Sequence, residues 1–287
     1  MKLVTFSDAK GRRVGVVHGD GVVDLSRADA DLPRDMIALI HEWPRVRSVV
    51  ERAGTRAADF PLKSVKLYAP VPRPGKIMAI GLNYADHVAE SGMKTPEQQI
   101  WFSKMPSSVT GPYDPIQLPK VSAALDYEVE MVAIIGRGGR HISKAHAADA
   151  VFGYCAGNDV TVRDWQFKTP QWVLGKSFDT HAPFGPWIVT ADEIGDPHTL
   201  GVRCFVNGEK RQDSNTKHLV FNVFDQIEEL SKAMTLEAGD AIFTGTPGGV
   251  GVAMKPPVFL KAGDVVRVEV DKIGAIEATV AAEGTDA

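Results

Sequence analysis

The chain has 287 residues, 44% of them hydrophobic and 24% charged, with a net charge of −4, an ordinary globular profile that allows one large domain or two. This balance gives no electrostatic basis for binding nucleic acid or an anionic membrane, and the apolar runs are too short to span a bilayer. Only Cys155 and Cys204 are present, which excludes a disulfide scaffold and a thiolate zinc site, so any metal is expected to have oxygen ligands.

The opening MKLVTFSDAKGRR lacks the apolar core of a signal peptide, and a cytoplasmic location is the expectation. Val14 to Val17 and Val22 to Leu25 read as short strands around His18-Gly19-Asp20-Gly21, followed by helical spacing over Asp35 to Trp43 and Val46 to Ala53. Three prolines and a glycine within Ala69 to Gly75 interrupt both periods. They divide a small α/β module, residues 1–70, from a larger domain, 71–287. The larger domain is strand-rich: Ile77 to Gly81, Tyr127 to Ile135, Val202 to Val206, Ala241 to Thr244, Val265 to Val270 and Ala275 to Val280. Gly81 to Gly92 reads as a short helix capped by Asn83 and stopped by Gly92. Ser143 to Ala150 reads as a second helix. Asn207-Gly208 signals a hairpin, and the apolar spacing of Val220 to Met234 predicts a helix over 216–234.

Chemistry concentrates at Leu125-Asp126-Tyr127-Glu128-Val129-Glu130-Met131. On one strand, alternate side chains share a face, so Asp126, Glu128 and Glu130 stand together, and desolvated carboxylates in a row call for pairing or a cation. Strand residues two apart are separated by roughly 6.6 Å and those four apart by about 13 Å. Neighbouring members can therefore share a hard cation, but both ends scarcely can. Asp159, in Gly157-Asn158-Asp159-Val160, is a candidate third oxygen ligand or a turn former. Arg163, Gln166 and Lys176 follow, side chains suited to a substrate carboxylate or a developing oxyanion. His87 and Glu90, three apart on one helical face, have the spacing of a carboxylate-oriented general base or of a solvated polar pair. Thr244 to Gly251 is glycine-rich without a P-loop's Lys-Ser/Thr; its amides and the Thr246 hydroxyl can receive a carboxylate, or it is a turn.

The ordered set GLNYADH, KMPSS, GPYDPI, LDYEVE, GNDVTVRDWQ, GKSFDT, GPWIVTADEI, VNGEKRQ and TGTPGGVG resembles the fumarylacetoacetate hydrolase superfamily over residues 70–283, with a looser likeness in the N-terminal module. The resemblance implies an α+β fold built on a curved, largely antiparallel β-roll with outer helices, and a homodimer. It implies Glu128, Glu130 and Asp159 as ligands of Mg2+ or Mn2+, with Ca2+ as an alternative, and leaves Asp126 in a supporting role. His87 and Glu90 match a water-activating dyad on a lid, with Lys176 stabilising developing oxygen charge. Arg163, Gln166, Lys104 and Thr246 match substrate-contacting positions. Trp101 departs from the smaller aliphatic residue common there, and in the pocket it would alter substrate shape. The activity implied is hydrolysis of a carbon-carbon bond in 2,4-dioxo acids to a pyruvate-type product and a carboxylic acid. Decarboxylation or isomerisation of oxaloacetate and other 2-oxo diacids, and action on 2,4-dioxo-3-deoxy sugar acids, are the alternatives. A non-catalytic protein with a structural ion would need every coordination position filled by the protein.

Overall fold

A computed structural model describes residues 1–92 and 94–284. Its frame is a mixed, mostly antiparallel sheet and a second sheet of five strands, with helices outside, the α+β roll expected. In the large sheet the strand Val129–Ile135 lies between Val151–Asn158 and Ala241–Phe243, and Ile77–Gly81 pairs with the latter in parallel. Met131, Ala133 and Ile135 face a core shared with Val202, Cys204, Val266 and Val268 of the five-stranded sheet. Val132 and Ile134 face the opposite core, against helix residues such as Leu39 and Val50. A strand buried on both faces reads as a continuous apolar run, which explains the composition of 129–135.

The N-terminal strands are not a detached sheet. Lys2–Asp8 pairs antiparallel with Ala182–Thr190, so the sheet runs from the first residues into the strands of residues 71–287. The hairpin at Asn207-Gly208 forms as expected, with φ of 53° and 80° at its two central residues, the pairing of signs that a two-residue turn between twisted strands requires.

Several local expectations are corrected. The helix expected over 216–234 runs from Val223 to Ala233, because Asn222 accepts from Phe224 and Asp225 and closes a capping box with Asp225. Residues 216–218 form a separate 3-10 turn. Ser143 to Ala150 is likewise a 3-10 turn followed by a four-residue helix. The helix Ala85–Ser91 stops at Gly92, but its N-cap is Tyr84. Asn83 is fully buried, donating to the carbonyls of Phe221 and Thr244 and accepting from Phe221 N, so it ties the helix base to the core.

His181 is buried, and its Nε2 lies 2.8 Å from the Gln117 carbonyl, which the ring can only approach as a donor. Burial pushes its pKa down to about 4. The unfolded chain, with a histidine near about 6.5, therefore binds more protons between these values, and stability falls as pH drops through that window. We expect His181 to contribute a loss of about 2 kcal/mol between pH 7.5 and pH 5. Urea unfolding at both pH values should show a smaller loss in His181→Gln; equal losses would clear His181 of the effect.

Candidate active site and metal centre

The acidic row is not one strand. Leu125–Asp126 pairs with Thr161–Val162, residues 127 and 128 leave the ladder, and Val129–Ile135 begins a new pairing with Val151–Asn158. The break is held by side-chain amides: Glu128 N donates to Asn158 Oδ1 and Val129 N to Gln212 Oε1, each at 2.9 Å. This turns Asp126 away from its neighbours. Its carboxylate accepts from the amides of Tyr127, Gly251 and Val252 and from Arg163 Nε. Glu128, Glu130 and Asp159 converge instead, with ligand oxygens all within 4.8 Å of one another and all three residues buried.

Cations crowd the same point. Lys176 Nζ donates to Glu128 at 2.8 Å and to Asp159 at 2.7 Å. Arg163 Nη1 is 2.7 Å from Glu128, and Lys104 Nζ is 2.6 Å from Asp159. Burial alone would raise the Glu128 pKa, but Lys176 and Arg163 outweigh it and hold the group at about 2. Glu130 has no such partner. Among the described residues only the Gly245 amide donates to it, at 2.7 Å, and burial together with Asp159 and Glu128 raises its pKa well above the ordinary carboxylate value.

Charge matching tests whether these residues suit a metal. Four buried carboxylates, Asp126, Glu128, Glu130 and Asp159, face three buried cations, Lys104, Arg163 and Lys176, which leaves one negative charge unmatched. A divalent cation among the three convergent oxygens reverses this to one positive charge, a balance that attracts an anionic ligand. Three carboxylates also match the hard-oxygen preference of Mg2+, Mn2+ or Ca2+.

A cavity of about 310 Å³, at the lower end for small-molecule sites, opens beside this cluster. Glu128, Arg163, Gln166, Lys176, His87 and Glu90 are among its polar lining residues. Arg163 Nη2 is buried without a hydrogen-bond partner among the described residues, and Gln166 uses Oε1 to accept from Arg163 Nη1, which leaves its amide N–H groups as donors. His87 Nδ1 faces Glu90 Oε2 at 3.4 Å, and Glu90 Oε1 accepts from Gly249 N at 2.9 Å, so one carboxylate orients the imidazole and pins the helix to the glycine-rich loop.

Other expected contacts are placed differently. Lys104 lies outside the cavity wall, with its ammonium protons taken by Asp159, the Val160 carbonyl and the Lys176 carbonyl; it holds the Asp159 side chain rather than a substrate. Thr246 reaches the wall, but its hydroxyl donates to Val129 O and accepts from Gln212 Nε2, so the proton a substrate carboxylate needs is already used. The amides of the glycine-rich loop bind carboxylates of the protein itself: Glu130 at Gly245, Glu90 at Gly249 and Asp126 at Gly251 and Val252. Trp101 is absent from the wall and donates to Gln99; Phe102 and Trp172 take that place. The roles of Asn158 and Gln212 have no signal in the sequence, and Asn83 reads there only as a helix cap, because a neutral amide is uninformative until burial shows what it pairs with.

A family model described as fumarylacetoacetate (FAA) hydrolase C-terminal matches residues 76–281. The chain is 47% identical over 262 residues to the protein named oxaloacetate tautomerase Fahd2a, mitochondrial, of Rattus norvegicus, covering 90% of this chain and 83% of that one. Among solved structures, fumarylacetoacetate hydrolase from Exiguobacterium antarcticum superposes with a TM-score of 0.84 at 38% identity, covering 99% of this chain and 100% of the other. Maleylpyruvate hydrolase from Sphingobium sp. SYK-6, in complex with manganese(II) and pyruvate, gives 0.84 at 36% identity with the same coverage.

Proposed function

The chain belongs to the fumarylacetoacetate hydrolase family, and from that premise we propose that it is a divalent-metal-dependent enzyme interconverting the enol and keto forms of small 2-oxo acids, with oxaloacetate the first substrate to test. The observation that carries this reading is the shared cavity: the His87–Glu90 pair and the unpaired donors of Arg163 and Gln166 line the same space as Glu128 and Lys176. The name of the 47% identical rat relative supports the choice of substrate. A cation held by Glu128, Glu130 and Asp159, Mg2+ or Mn2+ in this reading, would supply Lewis-acid polarisation of the 2-oxo group.

The protein's own residues do the rest. Arg163 Nη2 and the Gln166 amide bind the C1 carboxylate. His87, its Nδ1 turned to Glu90, takes the enol hydroxyl proton on Nε2 and delivers a proton to C3, so the reaction is an isomerisation with no net proton change. Lys176 has two protons on carboxylates and a third for the oxygen where negative charge collects. Within this reading the enzyme works as a cytoplasmic homodimer, and sedimentation of the metal-loaded protein tests the dimer.

A second reading, hydrolysis of 2,4-dioxo acids, is favoured by the apolar side chains in the cavity lining, Phe102, Trp172, Ile80 and Val250 among them, which suit an acyl tail. Water, losing its proton to His87, adds to the C4 carbonyl; the C3–C4 electron pair passes to C3 as an enolate, and protonation there releases a pyruvate-type acid and a carboxylic acid. Ultraviolet assays on metal-loaded and chelator-treated protein separate the two. Enol-oxaloacetate should ketonise faster than in buffer, and only with metal. Cleavage of an acylpyruvate without acceleration of that ketonisation would replace the first reading by the second.

A further inference from the structure

The cavity lining is of two kinds. Among its charged residues, Arg163 and Lys176 are already held by carboxylates. Uncharged side chains make up much of the rest, Trp172, Phe102, Ile80, Val250 and Val252 among them. A short diacid has no apolar part to cover these side chains.

Trp172 is placed there by a specific vacancy. A Cβ built on Gly81 would lie 2.4 Å from Trp172 Cζ3 and 2.9 Å from Cη2, closer than any side chain allows, so the indole occupies the volume that glycine leaves in the strand Ile77–Gly81. Phe102, from the adjacent strand Ile100–Ser103, backs the indole with ring centroids 5.5 Å apart at 60°. The Phe102 ring in turn carries the Lys176 ammonium at 4.9 Å from its centroid. The aromatic wall is thus braced against the charged cluster.

We infer that Trp172, seated on Gly81 and backed by Phe102, is a specificity-determining residue that admits 2-oxo acids bearing a flat, uncharged substituent on C3, aromatic or unsaturated, in addition to short diacids. The inference rests on the 2-oxo acid reading of the site. An aryl ring fits such a wall through apolar burial and ring–ring contact, and loss of the indole removes both.

Calorimetry on the Mn2+-loaded full chain with pyruvate and phenylpyruvate tests it, because the two ligands differ only in the tail. Phenylpyruvate should bind about tenfold tighter than pyruvate, and Trp172→Ala should erase about tenfold of that margin. Trp172→Phe should retain most of it, and Gly81→Ala, by displacing the indole, should mimic Trp172→Ala. Circular dichroism confirms that each variant is folded. An unchanged margin in both Trp172→Ala and Gly81→Ala, or equal wild-type affinity for the two acids, overturns the inference. Tail-dependent binding without ketonisation of either enol would instead leave Trp172 in its role and remove the tautomerase reading.

Discussion

Glu130→Gln is expected to abolish turnover while raising the melting temperature of the metal-free protein. The two effects have one origin. In the metal-free chain Glu130 is a buried carboxylate beside Glu128 and Asp159 with a single backbone donor, Gly245 N, and no cation of its own. Glutamine keeps the acceptor for Gly245 and adds an N–H for the neighbouring carboxylates, removing the one unmatched negative charge in the cluster. A relief of about 1 to 2 kcal/mol corresponds to an increase of a few degrees in a chain of this size. Metal binding responds in the opposite sense. Saturating Mn2+ should stabilise the wild type, by about 2.7 kcal/mol at a hundred times its dissociation constant, and should do little for the variant. Loss of Lewis-acid stabilisation worth several kcal/mol lowers kcat/KM by about a thousandfold or more. Scanning calorimetry with and without Mn2+ reads both signs. A metal-free variant less stable than wild type, or one still stabilised by Mn2+, would remove Glu130 from the metal centre.

His87→Ala is the other substitution expected to have a large effect, a fall in kcat of about a hundred- to ten-thousandfold with little change in KM or melting temperature. His87 sits in a seven-residue helix whose anchoring is done by others, Asn83 at its base and Glu90 through Gly249, so truncating the ring leaves the helix in place. Glu90→Gln isolates the orienting charge, since an amide oxygen still accepts from Gly249; a loss of about tenfold is expected, with Glu90→Ala worse because the loop contact also goes. Comparing substrates assigns the role. Equal losses on enol-oxaloacetate and on an acylpyruvate are expected of a proton-transfer group common to both reactions. A loss confined to the acylpyruvate would restrict His87 to activating water, and full activity in His87→Ala would discard the dyad.

The sequence carried the acidic row and its need for a cation because three carboxylates at alternate positions of an apolar run conflict with burial whatever the fold. It did not carry the break at residues 127 and 128. That break depends on Asn158 and Gln212 arriving from other elements to satisfy the freed amides. The helix beginning at Val223 shows the same division: apolar spacing locates it, while Asn222 and the Asn83 contacts to the preceding turn decide where it starts. Lys104 and Thr246 show it at the site itself. Motif position brought both to the neighbourhood of the chemistry, but only the packed structure shows that their polar atoms face Asp159, Val160, Val129 and Gln212.

By itself, then, the sequence determined properties that reside in residue type and local spacing: the strand and helix periods, the hairpin at Asn207-Gly208, the absence of soft ligands and the supply of acids and bases. The motif set added the family and the names of the residues to watch. Tertiary structure decided which of those groups meet. Glu130 and Asp159 are twenty-nine positions apart in the chain, and Trp172 and Gly81 more than ninety, yet each pair acts as a unit because strand pairing and close packing bring distant segments within contact distance. Net charge in a buried cluster, the orphaned Nη2 of Arg163 and the mixed polar and aromatic lining of the cavity are properties of that meeting, and no segment of the chain carries them alone.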